Sequence, residues 1–144
     1  METKKLILDF IKKEKLAVIS TVGEDSKPES AVLEFGETSN LELIFDTFIT
    51  SRKYKNLKTN KNVSFVIGWD ENITVQYEGI ATELSGTELK KYQRYYWDKN
   101  PKAQRWEDRD GITYFKVVPT WIRYSDLNES PWKILEVSKL DSQC

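Results

Sequence analysis

The stretch IFDTFITSRKYKNLKTNKN, Ile44–Asn62, decides how the rest of the chain is read. It opens as a β-rich run, breaks at Thr50 and Ser51, and continues as a short segment in which Tyr54 and Leu57 share one helical face. Ser51 has the side chain that caps such a helix. Arg52, Lys53, Lys55, Lys58 and Lys61 load the segment with positive charge, and no Asp or Glu occurs between Thr47 and Trp69. Three readings are open: a solvated helix, a nucleic-acid patch, or a pocket for one anion. A helix N-terminus presents unpaired amides and positive dipole character, so Ser51, Arg52 and Lys53 arriving there suit a phosphate. Arginine grips it with two prongs and lysine adds a mobile charge. A charged face that is merely solvated is the competing account.

Composition narrows the choice. The 144 residues carry 22 basic and 23 acidic side chains, a net charge of −1, which gives no global attraction to nucleic acid or anionic lipid. Histidine is absent, which removes serine and cysteine triads, histidine-ligated zinc and histidine-ligated haem. Catalysis would have to use carboxylates, Lys, Tyr, water or an organic cofactor. Cys144 is the single cysteine, so no intrachain disulfide and no cysteine metal cluster is possible, and a reducing, cytoplasmic setting is expected. No metal site is expected. METKKLILDFIKKEK lacks the continuous apolar core of a signal peptide or membrane span, so a chain that is not exported and not in the membrane is expected. Residues 1–144 are read as one domain.

Around the basic segment the pattern is mostly of strands. Leu6, Ile7, Phe10 and Ile11 predict a short amphipathic lid helix. LAVISTV (16–22) is a strand, GEDSKP (23–28) is turn chemistry, and Ala31, Leu33 and Phe35 share one face of a second strand against Ser30, Val32 and Glu34. Leu41, Leu43 and Phe45 alternate in a third, so three antiparallel strands are expected by residue 47. NVSFVIGW and NITVQYEGIATEL (72–84) flank a tight DEN reversal, with Ile73, Val75 and Tyr77 facing the core. TELKKYQRYYWDKN (87–100) predicts a helix ending before Pro101. ITYFKVVPTWIRYSDL and PWKILEV supply a long and a shorter strand, with Pro119 marking a bend or an edge. Six or seven antiparallel strands with few helices predict a mainly β fold, a closed or partly closed barrel with peripheral helices. Trp97, Trp106, Trp121 and Trp132 exceed what a small barrel holds, which points to a subunit interface and a homodimer.

Two other features compete for function. The aromatic run from Tyr92 to Trp106 would stack a planar ligand or single-stranded nucleic acid, or simply pack a helix; Asp98, Glu107, Asp108 and Asp110 oppose nucleic acid. Glu34 and Glu78 would make an acid/base pair only if they met, and outward strand positions make them solvated surface.

The order of a strand ending in FDT, the SRK tripeptide, a short helix and a Val-rich strand resembles the pyridoxamine 5′-phosphate oxidase-like family of FMN-binding split barrels, small stress-protein-like members included. LAVISTVGEDSKPESAVLEF resembles the family's opening hairpin, VSFVIGWDENITVQYEGIATEL its paired strands, and PTWIRYSDL its closing strand. The resemblance implies an antiparallel split barrel in which Arg52 and Lys53 bind the FMN phosphate with Ser51 and Thr47 beside them. It implies that Ser30 to Leu33, including Val32 and Leu33, line the isoalloxazine and ribityl chain. Thr74 falls where the family's oxidases carry Gln, and Gln76 is on the same strand face. Trp106, Trp121 and Tyr124 are candidates for a wall completed by the second subunit of a homodimer. The implied activity is hydride transfer through flavin N5 to a small-molecule substrate; a non-catalytic flavin binder and a deazaflavin-dependent sibling enzyme are the alternatives. True pyridoxamine phosphate oxidases carry Arg and Lys where this chain has Ser30 and Phe35, and a late Arg-x-His that this chain lacks. The resemblance therefore implies the fold and the flavin phosphate site, not the vitamin B6 reaction.

Overall fold

Period-two alternation becomes strand wherever the inward positions are apolar. In the computed structural model, which describes residues 2–106, 109–138 and 140, helix α1 (Glu2–Lys13) is followed by β1 (Leu16–Val22), β2 (Pro28–Glu34), β3 (Gly36–Glu37), β4 (Leu43–Phe48), α2 (Arg52–Thr59), β5 (Asn62–Ile67), β6 (Ile73–Glu83), α3 (Gly86–Lys99), a 3-10 turn (Pro101–Trp106), β7 (Ile112–Asp126) and β8 (Lys133–Val137). All strand pairings are antiparallel, in the order β2-β1-β5-β6-β7-β4-β3, with β8 on β7. The mainly β, curled split-barrel architecture agrees with the sequence reading, with the two-residue β3 as an added strand. Leu41 departs from the expected alternation: it is buried, but at φ 66° it ends the preceding turn and lies outside β4. No helix among the described residues is long and apolar enough to cross a membrane.

The concave side holds the main core. Ala17 and Ile19 from β1, Phe45 from β4, Phe65 from β5, Tyr77 from β6 and Phe115 and Val117 from β7 are all buried there. Phe45 stacks on Phe115 with centroids 5.4 Å apart and meets Phe65 edge-on at 6.2 Å. The Tyr77 hydroxyl donates to Leu41 O at 2.7 Å, so its burial leaves no orphaned donor. Helix α1 closes one end as expected, burying Ile7 and Ile11. Phe10 lies edge-on to Tyr124 at 5.8 Å and rests directly on Gly68, where a Cβ would stand 2.4 Å from the ring; the φ of +84° demands glycine independently.

A second, smaller core joins Ile44 of β4 and Tyr114 of β7 to Tyr92 and Tyr96 of α3. Trp97 belongs to it, donating through Nε1 to the Tyr114 hydroxyl at 3.2 Å, so this tryptophan packs within its own chain. Lys99, at the end of α3, bonds Glu37 Oε1 at 2.5 Å and Ile11 O at 3.0 Å, and its ammonium lies 3.7 Å from the Phe35 ring centroid. One charged side chain thus ties α1, α3 and β3 together.

Strand β7 is shared. Residues 112–117 pair with β4 and residues 122–126 with β8, all on the side away from β6. Pro119 falls between the two partners and opposite Gly79, at the register shift that follows Glu78. A residue without an N–H is tolerated there because it has no ladder bond to lose on that side.

Candidate anion-binding site

Helix α2 begins where β4 runs out. It packs on β1 and on β4, strands that the sheet separates by β5, β6 and β7, so it bridges the mouth of the curl. Ser51 is the N-cap, its Oγ accepting from Tyr54 N–H at 3.1 Å, and Thr47 Oγ1 lies 2.8 Å from the same oxygen. The two hydroxyls therefore fix the helix start and sit beneath it. Glu83, at the end of β6, holds the helix from the side: it accepts from Thr113 Oγ1 at 2.6 Å, Tyr54 OH at 3.2 Å and Lys58 Nζ at 3.5 Å.

Arg52 and Lys53 leave this start in different surroundings. Lys53 is half-buried and, among the described residues, has no ion-pair partner; burial pushes its ammonium below the usual lysine range, partly offset by the Asp46 carboxylate. Arg52 is 80% exposed and pairs with Glu29 of β2, whose Oε1 accepts from Asn56 Nδ2 at 2.8 Å. Asn56 is buried and also donates to Thr21 Oγ1 at 2.9 Å. A cavity of 210 Å³ is lined by Thr21, Glu29, Ser30, Ala31, Arg52 and Lys53. A second one, of 320 Å³, adjoins the β1–β2 turn and is bounded by Gly23, Glu24, Asp25, Lys55 and Asn56, again with Glu29 and Arg52.

Three of these residues escaped the sequence reading, although two left a signal. Glu29 is two positions before Ala31 and so falls on the inward phase of β2, where a carboxylate is out of place without a partner. Asn56 is four positions after Arg52, on the same helical face. Asp46 gave no such signal. Its Oδ1 accepts from Tyr96 OH at 3.1 Å, while Oδ2 is buried with no partner among the described residues. Burial raises its pKa above 3.8, and Glu34 adds to the rise; the Tyr96 bond and Lys53 oppose it. The folded chain therefore holds this proton more tightly than the unfolded chain. Stability from that difference is full below the unfolded value of 3.8 and is lost as pH rises through the native value. Asp46→Asn is expected to raise stability by on the order of 1 kcal/mol at neutral pH. The gain should shrink as pH falls through the native pKa, read as paired thermal melts from pH 7 to 4.

The remaining expected site residues divide between two faces of the sheet. Leu33 and Tyr124 point inward, Tyr124 beneath Phe10 in the core. Val32, 60% exposed, points outward, as do Thr74, Gln76 and Trp121. Cross-strand register aligns Val32, Val18, Val66, Gln76, Arg123 and Glu136 in one row over that outer face. Arg123 Nε donates to Glu136 Oε2 at 2.8 Å and Trp121 Nε1 to Glu136 Oε1 at 3.3 Å. Val32 and Leu33, being adjacent in a strand, cannot present both side chains to one ligand. The Trp106 side chain lies outside the described residues. Trp132, 62% exposed, is on the surface, and Glu34 and Glu78 are exposed without meeting.

Comparison with known proteins gives the same frame. The family model for pyridoxamine 5′-phosphate oxidase matches residues 3–126. A Caenorhabditis elegans protein named "Putative pyridoxamine 5'-phosphate oxidase" is 29% identical over 102 residues, 70% of this chain; the chain spans 43% of that relative's length. Among solved structures, general stress protein 26 from Bacillus anthracis is 26% identical with a TM-score of 0.73, covering 95% of this chain and 100% of its own. A heme binding protein from Mycobacterium smegmatis has a TM-score of 0.78 at 13% identity, covering 90% of this chain and 55% of its own, which shows the shared fold alone. With a match running from α1 to the end of β7, over the strand order and capped basic helix described above, the chain belongs to the pyridoxamine 5′-phosphate oxidase family.

Proposed function

We propose that the chain binds FMN through its phosphate at the start of α2 and acts as a flavin-dependent oxidoreductase on a small-molecule substrate. The observation that carries this is Lys53: a half-buried ammonium without an ion-pair partner among the described residues, in a cavity with Arg52, beside a capped helix start that has no acidic residue in its first turn. An anion placed there meets two cations and the free amides of the helix. Ser51 and Thr47 hold that start in place, and Thr21 and Ser30 add hydroxyls at the wall. Hydride transfer is the chemistry a bound flavin supplies, which lets a histidine-free chain serve as an enzyme.

The ring would lie over the outer face, where Val32, Val66 and Leu16 are exposed beside Gln76 and Trp121. A second copy of the chain is the cover proposed for that apolar surface, giving a homodimer with the site at its interface. A reducing, cytoplasmic setting is in keeping with the single cysteine. The haem description of the mycobacterial neighbour is not carried over, since at 13% identity that likeness is one of fold alone.

The test is equilibrium binding of FMN followed by flavin absorbance and fluorescence. Wild type should bind FMN more tightly than riboflavin, and Arg52→Gln and Lys53→Gln should each weaken FMN by roughly ten- to a hundredfold, the worth of about 1.5–3 kcal/mol for a bond to a charged group. Riboflavin affinity should change little. Equal affinity for the two flavins in wild type would refute the phosphate site. Bound flavin that nicotinamide donors fail to reduce would favour a binding protein over an oxidoreductase.

A further inference from the structure

The cavity proposed for a phosphate already contains a carboxylate. Glu29 reaches in from β2, takes Arg52 with Oε2, and is itself held by Asn56, whose buried amide donates to Glu29 Oε1 at 2.8 Å and to Thr21 Oγ1 at 2.9 Å. Glu29 and Arg52 line both cavities beside α2, so their pair is the partition between the 210 Å³ space and the 320 Å³ one. Lys53 lines only the first and, among the described residues, has no such pairing. The two cations of the site are therefore not equivalent: one is open to an incoming anion, and the other is already engaged.

We propose that Glu29 is an internal competitor for Arg52, which a phosphoester must displace, and that it sets the selectivity of the site. A phosphate first meets Lys53 and the α2 start, then draws the arginine from Glu29. Arg52 has the freedom to make that exchange, being 80% exposed, whereas Glu29 is 27% exposed and fixed by Asn56. The movement opens the partition and joins the two spaces. A ligand that offers Arg52 less than the carboxylate does, such as an unphosphorylated flavin, leaves the pair closed. The cost of separating the pair falls on every phosphorylated ligand and weakens it relative to a site with neutral wall residues.

This inference rests on the phosphate reading of the site, and the experiment separates the two. FMN and riboflavin are titrated into wild type, Glu29→Gln, Arg52→Gln and the double variant. Glutamine keeps an oxygen for the Asn56 amide, so the fold around Thr21 should survive, which thermal melts of all four proteins check. Glu29→Gln is expected to bind FMN about three- to tenfold more tightly than wild type, with riboflavin unchanged. In the Arg52→Gln background the same change should yield little or no gain, because nothing is left to compete for. If wild type prefers FMN but Glu29→Gln binds it no better, the phosphate site stands and the competitor does not. An equal gain in both backgrounds reduces Glu29 to a general field and overturns the proposal. If wild type does not prefer FMN to riboflavin, the phosphate reading fails and takes this inference with it.

Discussion

Lys99→Met is expected to destabilise the fold by roughly 3–5 kcal/mol, a fall in Tm on the order of 10 °C. The lysine and Glu37 side chains are each 10% exposed, and burial pushes the ammonium pKa down while Glu37 and Glu14 pull it back. Methionine matches the stem but not the charge. It strands a buried carboxylate on Glu37, leaves Ile11 O without its lysine donor and removes the cation from the Phe35 ring. Lys99→Met combined with Glu37→Leu removes both charges and should recover much of the loss. A double variant no more stable than the single one would show that the lysine acts through Ile11 and Phe35 alone.

Phe45→Ala carries a comparable cost, about 3–5 kcal/mol, through a different mechanism. Phe45 is fully buried between the stacked ring of Phe115 and the edge of Phe65, on three different strands. Alanine would leave a ring-sized void that the tightly curled sheet cannot collapse to fill. The readout is the urea midpoint with its slope unchanged. A loss under about 1 kcal/mol would mean that the rings repack, contrary to the density expected of such a core.

Much of this architecture is legible in the sequence because the inward phase of its strands is apolar. Ala17 and Ile19 of LAVISTV, Val63, Phe65 and Ile67 of NVSFVIGW, and Val75, Tyr77 and Ala81 of ITVQYEGIATE mark that phase, although Leu16, Val18 and Val66 put apolar residues on the other one too; the helices around Leu57 and Tyr96 carry their own cap or stop. Which strands pair is harder to read. β4 lies next to β7 rather than β2, and nothing local in LELIFDT says so; the pairing follows from closing the curl around Phe45, Phe65 and Phe115. The site was read in part for the same reason. Ser51, Arg52 and Lys53 are neighbours in sequence and announce a helix start, whereas Glu29, Asn56 and Asp46 meet them only through the fold. Thr74, Gln76 and Trp121 share the outer face through β6–β7 register, but Tyr124 faces the core because it is an odd number of positions from Trp121 in one strand.

The bridging position of α2 has a kinetic side. Its first turn is joined to β4 and its flank rests on β1, yet β4 gains its long ladder only from β7, after β5, β6 and α3 have intervened in the chain. Closing so long a loop costs entropy before any contact repays it, which places topologies of this kind among the slower folders. Arg52 and Glu29 thus stand on elements from opposite ends of the curled sheet. The hairpin of β1 and β2 can form early from neighbouring residues. The basic pocket, lined from that hairpin and from α2, joins the part of the fold built on local contacts to the part that waits for the long loop.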